Sequence, residues 1–306
     1  MADQQAKSQA QAGQAAAAQA GQAGHAAAAS SGGLSDQEIT RLRELSHTLR
    51  RQVLEMTTEA GSGHPSSSFS CTELMAVLYF AGILQYDANN PHWPGRDRFI
   101  LSKGHAAPIL YAVLANAGYF PVSELHTLRK LGSPLEGHPN MRRVPGVEAS
   151  TGSLGQGLSM GQGHALAARW APRNFNVYVL MGDGEQEEGQ IWEAAMSSAN
   201  YQLNNLIGIV DNNGFQQTTA VSNLTNPKKY DDKYRAFGWK VAEIDGHDIQ
   251  AVYQALTEAT AYQDGPYCIV AHTVKGKGLE FMERDFTWHG RAVPEKQLQK
   301  ALEELS

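Results

Sequence analysis

The chain has 306 residues, 42% of them hydrophobic and 18% charged, with a formal net charge of -6. That balance suits a globular protein with well-buried strands and excludes a broad basic footprint for nucleic acid; Lys228 and Lys229 read as a solvated loop. Two cysteines, Cys71 and Cys268, are too few for a disulfide scaffold or a metal cluster, and no apolar run reaches the roughly 18–20 residues that span a bilayer.

Residues 1–33 are mainly Ala, Gln and Gly. They have neither the basic start nor the apolar core of about 7–15 residues that marks a secretion signal, so they read as a disordered tail in which His25 has no role. The domain is expected at 34–306, near the upper limit for one core. Both cysteines fall within apolar patterns and read as reduced core thiols, which points to the cytoplasm. Ser35 with Glu38 three positions on predicts a capped helix running to Glu59, ended by Gly61 and Gly63. A second helix is expected over Cys71 to Ile83, a strand over Phe99 to Ser102 and a helix over Ala107 to Ala117. Leu131 to Ser153 is a long Gly/Pro-rich loop of the kind that walls an active site. A helix follows Gly155. Then come the strand Val177 to Met181, a helix near Glu188 to Tyr201, and the strand Leu206 to Val210. A short helix around Lys233, the strand Lys240 to Ile244, a helix from Asp248 to Tyr262, the strand Tyr267 to His272 and a terminal helix over Glu295 to Leu305 complete the chain. The alternation predicts an α/β fold, a doubly wound and mainly parallel sheet with helices on both faces.

The densest signal lies between Asn176 and Gly214. An apolar run leads into Gly182-Asp183-Gly184, a helical stretch follows, and a second apolar run ends in Asp211-Asn212-Asn213. Two parallel strands joined by a crossover helix would bring Asp183 and Asn213 to the same sheet edge, where open α/β sheets bind ligands. Carboxylate and amide oxygens suit Mg²⁺ on a diphosphate, the glycines allow close approach, and a helix N-terminus behind them favours negative charge. His64, His105, His138 and His289 each sit in a glycine-flanked loop, which suits a hydroxyl-rich or phosphorylated ligand. The histidines lack the close spacing of a zinc site. His47, His92, His126, His164, His247 and His272 read as structural or surface residues, with His247 the least secure because it falls at a strand-to-helix turn.

GHPSSSFS at Gly63 to Ser70, DRFILSKGHAAPILYAVLANAGYF at Asp97 to Phe120, EGHP at Glu136 to Pro139, PGVEASTGSLGQGLS at Pro145 to Ser159, AHTVKGKG and the later WHG at Trp288 to Gly290 occur in the order found in the N-terminal half of transketolases. The stretch from Leu34 to about Val293 resembles that family. The resemblance implies a thiamin-diphosphate-binding fold in which Asp183, Asn213 and the Phe215 carbonyl oxygen hold Mg²⁺. Gly184, His105 and His289 would meet the diphosphate, with Gly152 and Leu154 at the aminopyrimidine ring. His64, His105 and His138 would line the reacting carbonyl and hydroxyls, and Glu188 would lie at a subunit interface linked to cofactor activation, or stabilise the first turn of its helix. It also implies transfer of a two-carbon ketol unit from a ketose, phosphorylated or similarly anionic, to an aldose. Transketolases complete their site with a second module carrying the activating glutamate. No counterpart follows Val293, so this chain is expected to be the N-terminal subunit of a split transketolase, working with a separate C-terminal subunit, most simply as α2β2. The alternatives are the cofactor-binding subunit of a 2-oxoacid dehydrogenase, against which the His-Pro and LSKGHA segments speak, and a non-catalytic interaction protein that keeps the fold. One stretch departs from the family: Gly214-Phe215-Gln216-Gln217-Thr218-Thr219 puts Gln217 where an apolar side chain flanks the thiazolium ring, and Ser66 replaces the usual Gly.

Overall fold

Four apolar runs with few breaks, and one more polar run at an edge, form the sheet at the centre of the fold, because a strand covered on both faces carries hydrophobic side chains at nearly every position. In the computed structural model, which describes residues 33–171, 174–223 and 229–305, these runs are β1 (Arg98–Leu101), β2 (Val177–Gly182), β3 (Leu206–Asn212), β4 (Lys240–Asp245) and β5 (Tyr267–His272). All pair in parallel, in the order β1-β2-β3-β5-β4. The expected strands differ from these only at their ends. The tail expected at 1–33, apart from Gly33, lies outside the described residues with His25, as does Lys228.

Side chains alternate across the sheet as the strand repeat of two requires. Tyr178, Leu180, Ile207, Ile209, Tyr267 and Ile269 enter one core, while Val177, Val179, Met181, Leu206, Val210, Cys268 and Val270 enter the other. Each fully buried aliphatic side chain here contributes about 1.5–3 kcal/mol. The edge strand β4 alternates instead, exposing Lys240, Glu243 and Asp245, which discourages pairing with another edge.

The first core is covered by α1 (Asp36–Glu59), the short α2 (Pro65–Phe69), α3 (Thr72–Phe80), α4 (Ala107–Asn116), and, after α5 (Gln156–Ala167), α6 (Gly189–Asn200) and α7 (Tyr230–Ala236) have crossed to the second core, by α8 (Ile249–Ala261) and α9 (Glu295–Glu304). Helices on both faces make the sheet doubly wound. The capping box of α1 is formed: Ser35 Oγ accepts from the Glu38 N–H at 3.3 Å, and the Glu38 carboxylate accepts from the Ser35 N–H at 2.9 Å.

The second helix differs from its expected span of Cys71 to Ile83. Helix starts earlier, at Pro65, whose fixed φ suits a first helical position. The serine run disguised it, because serine usually competes with helix. Here Ser68 Oγ and Thr72 Oγ1 donate back to the carbonyls of His64 and Ser68, so burial leaves them satisfied. The helix ends at Phe80, two residues before Gly82 turns with φ +76°.

A buried ion pair locks α1 to α3. Arg50 donates to both Glu73 carboxylate oxygens, at 2.6 and 2.7 Å, and His247 Nδ1 lies 2.9 Å from the same carboxylate. The His247 Nε2 accepts from the Val274 N–H at 2.8 Å, so both of its nitrogens serve structure. Burial alone would raise the Glu73 pKa, but Arg50 and His247 outweigh it and hold it at about 2. Glu73→Gln should therefore cost about 3–5 kcal/mol at neutral pH, since it leaves the Arg50 charge buried without its counterion. Glu73 stabilises fully above the ordinary carboxylate value near 4.5 and loses its contribution as pH falls toward 2. Denaturant melts of the two proteins should thus differ most at pH 7 and converge in acid; a constant gap would contradict the linkage.

Candidate functional site

A cleft of about 470 Å³ opens at the carboxyl edge of the sheet. Its lining includes every residue singled out by sequence: His64, His105, His138, His289, Gly152, Leu154, Asp183, Gly184, Glu188, Asn213 and Phe215. They come from six loops. His64 precedes α2, His105 follows β1, His138 and the Gly152–Leu154 pair belong to the long loop before α5, Asp183 follows β2, Asn213 follows β3, and His289 precedes α9.

Asp183 and Asn213 meet as the β2–β3 register requires, with Gly182 opposite Asp211. The Asp183 carboxylate accepts from the Gly184 N–H at 2.8 Å and from the Gly214 N–H, while the Tyr230 hydroxyl holds its carbonyl at 2.9 Å. Burial, and then the neighbouring Asp211 charge, raise the Asp183 pKa. A buried carboxylate so placed is one that a cation would stabilise. Asn213 Nδ2 donates to Asp211 at 3.1 Å, which orients the amide and turns its oxygen the other way. The Phe215–Ala220 bridge closes a tight hairpin whose bonds use Gly214 O and the Gln216 N–H, passing over the Phe215 carbonyl. These three oxygens can hold a hard divalent ion.

Beneath them is a charge cluster that motif reading overlooked. Lys103 is paired with Asp211 at almost complete burial, and Asp211 also accepts from Ser70 Oγ at 2.6 Å and from Thr273 Oγ1. Burial opposes the Asp211 charge, yet Lys103 and the two hydroxyls keep its pKa below the usual value. Lys275 is as deeply buried but has no carboxylate in ion-pair contact among the described residues; it donates to Ser67 Oγ at 3.0 Å. Burial and the Lys103 charge push its pKa down. A buried ammonium without an ion-pair partner, at the floor of a cleft, is a group that an anion would stabilise. Lys103 and Lys275 stood inside the LSKGHA and AHTVKGKG strings, and Asp211 next to Asn212-Asn213, but no local pattern shows that the three converge. Glu185 was also missed: it accepts from Gly182 and Gly155 N–H groups at 3.0 and 2.8 Å, tying the Gly-Asp-Gly turn to the TGSLGQG loop.

Three imidazoles close the other wall. His64, His105 and His289 form a triangle with ring centroids 5.1–5.2 Å apart. Burial is the main cause holding all three below the ordinary histidine value, His64 at about 4 and His289 at about 3, with neighbouring cations, Arg129 first for His64 and the lysines for the others, and the other histidines adding to it. They are neutral at physiological pH, each with one donor and one acceptor nitrogen. The Nδ1 atoms of His64 and His289 are buried without a protein partner, so the site presents polar atoms that a ligand would satisfy. His138 stands at the rim, its Cδ2 against Gly152; a Cβ there would lie 2.9 Å away, and the φ of +153° also favours glycine.

Two expectations change in detail. One tight turn, Gly184–Glu187, separates the Gly-Asp-Gly from α6, so no regular α-helix starts directly behind Asp183. Glu188 precedes the first turn of α6 instead of lying in it: it is the exposed N-cap residue, in extended conformation, and its side chain makes no capping bond. Gln217 does line the cleft, at the exposed tip of the 215–220 hairpin.

Residues 42–306 match the family described as transketolase, thiamine diphosphate binding domain. A 6-deoxy-6-sulfo-D-fructose transketolase subunit of a Clostridium species is 41% identical over 272 residues, which cover 89% of this chain and 98% of that one. An apulose-4-phosphate transketolase subunit of Phocaeicola vulgatus is 36% identical over 88% of this chain and 95% of its own length. The crystal structure of transketolase from Campylobacter jejuni superposes with a TM-score of 0.82 at 32% identity, covering 87% of this chain but 43% of that one.

The two buried groups at the cleft floor should respond differently to removal. In the assembled enzyme, Asp183→Ala should abolish Mg²⁺-dependent thiamin diphosphate binding with the far-UV spectrum unchanged. Lys275→Met should weaken binding tenfold or more, by the order of one lost charge-assisted bond, while the cofactor-free protein melts no lower than wild type, since the fold holds that ammonium at a cost. Calorimetry and thermal melts read both; unchanged cofactor affinity in either variant would overturn its assignment.

Proposed function

This chain belongs to the transketolase family as its thiamin diphosphate binding domain, and we propose that it is the N-terminal subunit of a two-chain transketolase that moves a two-carbon ketol unit from an anionic ketose to an aldose. The observation that carries this reading is the joining, in one cleft, of an oxygen triad, a buried counterion-poor lysine and four imidazoles. Support for the two-chain arrangement comes from extent: the match covers nearly all of relatives named as subunits and less than half of a single-chain transketolase. Mg²⁺ and thiamin diphosphate fit what the residues offer, a hard-cation triad beside an anion receptor with unsatisfied nitrogens above it.

When bound, thiamin diphosphate supplies an electron sink for the pair released as the carbon–carbon bond beside the substrate carbonyl breaks. In this reading Asp183, Asn213 and the Phe215 carbonyl hold the metal, and Lys275, Gly184, His105 and His289 hold the diphosphate. Gly152 and Leu154 position the aminopyrimidine ring. His64, His105 and His138 bind the sugar hydroxyls, each neutral imidazole donating a hydrogen bond through its N–H and accepting at its bare nitrogen, which can take up a proton from a hydroxyl and return it. Glu188 sits at the interface with a second subunit, where its exposure leaves it within reach. Gln217 at the hairpin tip presents an amide where the family has an apolar side chain, which gives the donor sugar an added hydrogen-bonding group. No helix among the described residues is long and apolar enough to cross a membrane.

His138→Ala should lower turnover of the assembled enzyme far more than its cofactor affinity, whereas His105→Ala should lower both; equal effects on cofactor binding would contradict the division. The purified chain with Mg²⁺ and thiamin diphosphate should show negligible ketol transfer between a ketose donor and an aldose acceptor, and addition of the C-terminal subunit should restore it, with an α2β2 mass by light scattering. Full activity of the chain alone would overturn the two-chain reading.

A further inference from the structure

Arg129 lies in the left-handed region, φ +57°, where a non-glycine residue costs about 1–3 kcal/mol and persists only if its surroundings hold it there. They do. Its N–H donates to Leu135 O at 2.8 Å, and the residues beside it are moored to the end of α1, where Glu59 binds His126 and Lys130. The side chain thus presented makes no ion pair among the described residues, although Glu136 is in the same loop; Glu136 pairs with Arg143 at 2.8 Å. Instead the two arms of the Arg129 guanidinium diverge. One donates to Ser62 Oγ at 2.9 Å and the other to Gly137 O at 3.5 Å.

Those two acceptors stand two residues before His64 and one residue before His138. We propose that Arg129 is a positioning residue that clamps the loops carrying His64 and His138, fixing the distance between the two imidazoles that face the substrate. The inference rests on the ketol-transfer reading of the cleft. Two further observations support it. The single Tyr111 hydroxyl proton is shared between Glu136 O at 2.9 Å and His138 O at 3.1 Å, so the carbonyls on either side of Gly137 are held as well. The three atoms nearest to a Cβ placed on Gly137 all belong to the Arg129 guanidinium, Nη2 at 2.7 Å, Cζ at 2.8 Å and Nε at 3.0 Å, so a side chain there would push the guanidinium aside. A lysine could not reproduce the bond pattern, because one ammonium lacks the planar fork that reaches both loops.

The clamp also places a cation beside both imidazoles. After burial, Arg129 is the largest influence keeping His64 and His138 below the ordinary histidine value; Lys275 and His138 add to it for His64, whose ring also packs against His105 and His289. For His105 and His289 the charges involved are Lys103, Lys275 and the other histidines.

Two measurements test the assignment. In the assembled enzyme, Arg129→Ala, Arg129→Lys and Gly137→Ala should each lower kcat/KM for the ketose roughly tenfold to a hundredfold, the scale of a misplaced catalytic group, with thiamin diphosphate affinity and melting temperature near wild type. Added guanidinium ion should restore Arg129→Ala but not Gly137→Ala. In the full chain alone, an NMR titration needs no activity: Arg129→Ala should move the His64 and His138 transitions upward and leave His105 and His289 where they were. Unchanged kcat/KM, equal loss of cofactor affinity, or a shift shared by all four histidines would overturn the clamp. If the wild-type pair shows no ketol transfer, the functional reading fails, and the titration still decides whether Arg129 holds these two loops.

Discussion

The Lys103–Asp211 ion pair, sealed where β1 and β3 end, is the constraint on which the cleft depends. Two opposite charges inside a protein are expensive to desolvate, and they stabilise only when geometry and further hydrogen bonds compensate. Here Ser70, Thr273 and Asn213 all donate to Asp211, and Lys103 donates to Ser67 O at 2.8 Å. The partners come from α2, from the end of β5 and from both sides of the central strands. Pulling any of them away would leave a buried charge under-solvated, so the pair draws four loops to a single point.

What rests on that point is a field suited to an anion. Lys103 is neutralised by Asp211, but Lys275 is not neutralised by any ion-pair contact of its own among the described residues, and its depressed proton affinity records the cost. The histidines above it are neutral because burial and those lysines disfavour a further positive charge. A bound diphosphate and its metal would reverse both imbalances, supplying charge to Lys275 and a cation to the carboxylate of Asp183. The electrostatics of the cleft are strained in complementary directions, which is the usual signature of a site completed by its ligand.

Membership of the transketolase family settles the chemistry the fold hosts but leaves specificity to local features. The Gln216 to Thr219 turn is one of these. It closes a hairpin at the edge of the cleft and carries the amides of Gln216 and Gln217 into its lining. Two relatives that match this chain over nearly their whole length are named for different sugars, 6-deoxy-6-sulfo-D-fructose and apulose-4-phosphate.

The sequence by itself determined the inner strands, because burial on both faces writes them as continuous apolar runs, and the edge strand from its shorter mixed run; it determined the α1 start through its capping box, and it located Asp183, Asn213 and the four loop histidines because each sits at a glycine-marked turn. Where it failed, a local rule was overridden by a distant partner. The second helix is expected only from Cys71, since serine competes with helix, yet helix forms from Pro65 because packing against the core buries Ser66 to Ser68 with the Ser68 hydroxyl satisfied. Glu188 read as helical, but the tight turn that follows Asp183 consumes the preceding residues. The tertiary structure alone decided the strand order, which parallel crossovers leave open, and the convergence of Lys103, Asp211 and Lys275, residues far apart in the chain whose roles follow from burial together. It alone showed Arg129 reaching two loops at once. Periodicity and turn chemistry are properties of neighbours, while charge pairing across a buried sheet edge is a property of the folded whole.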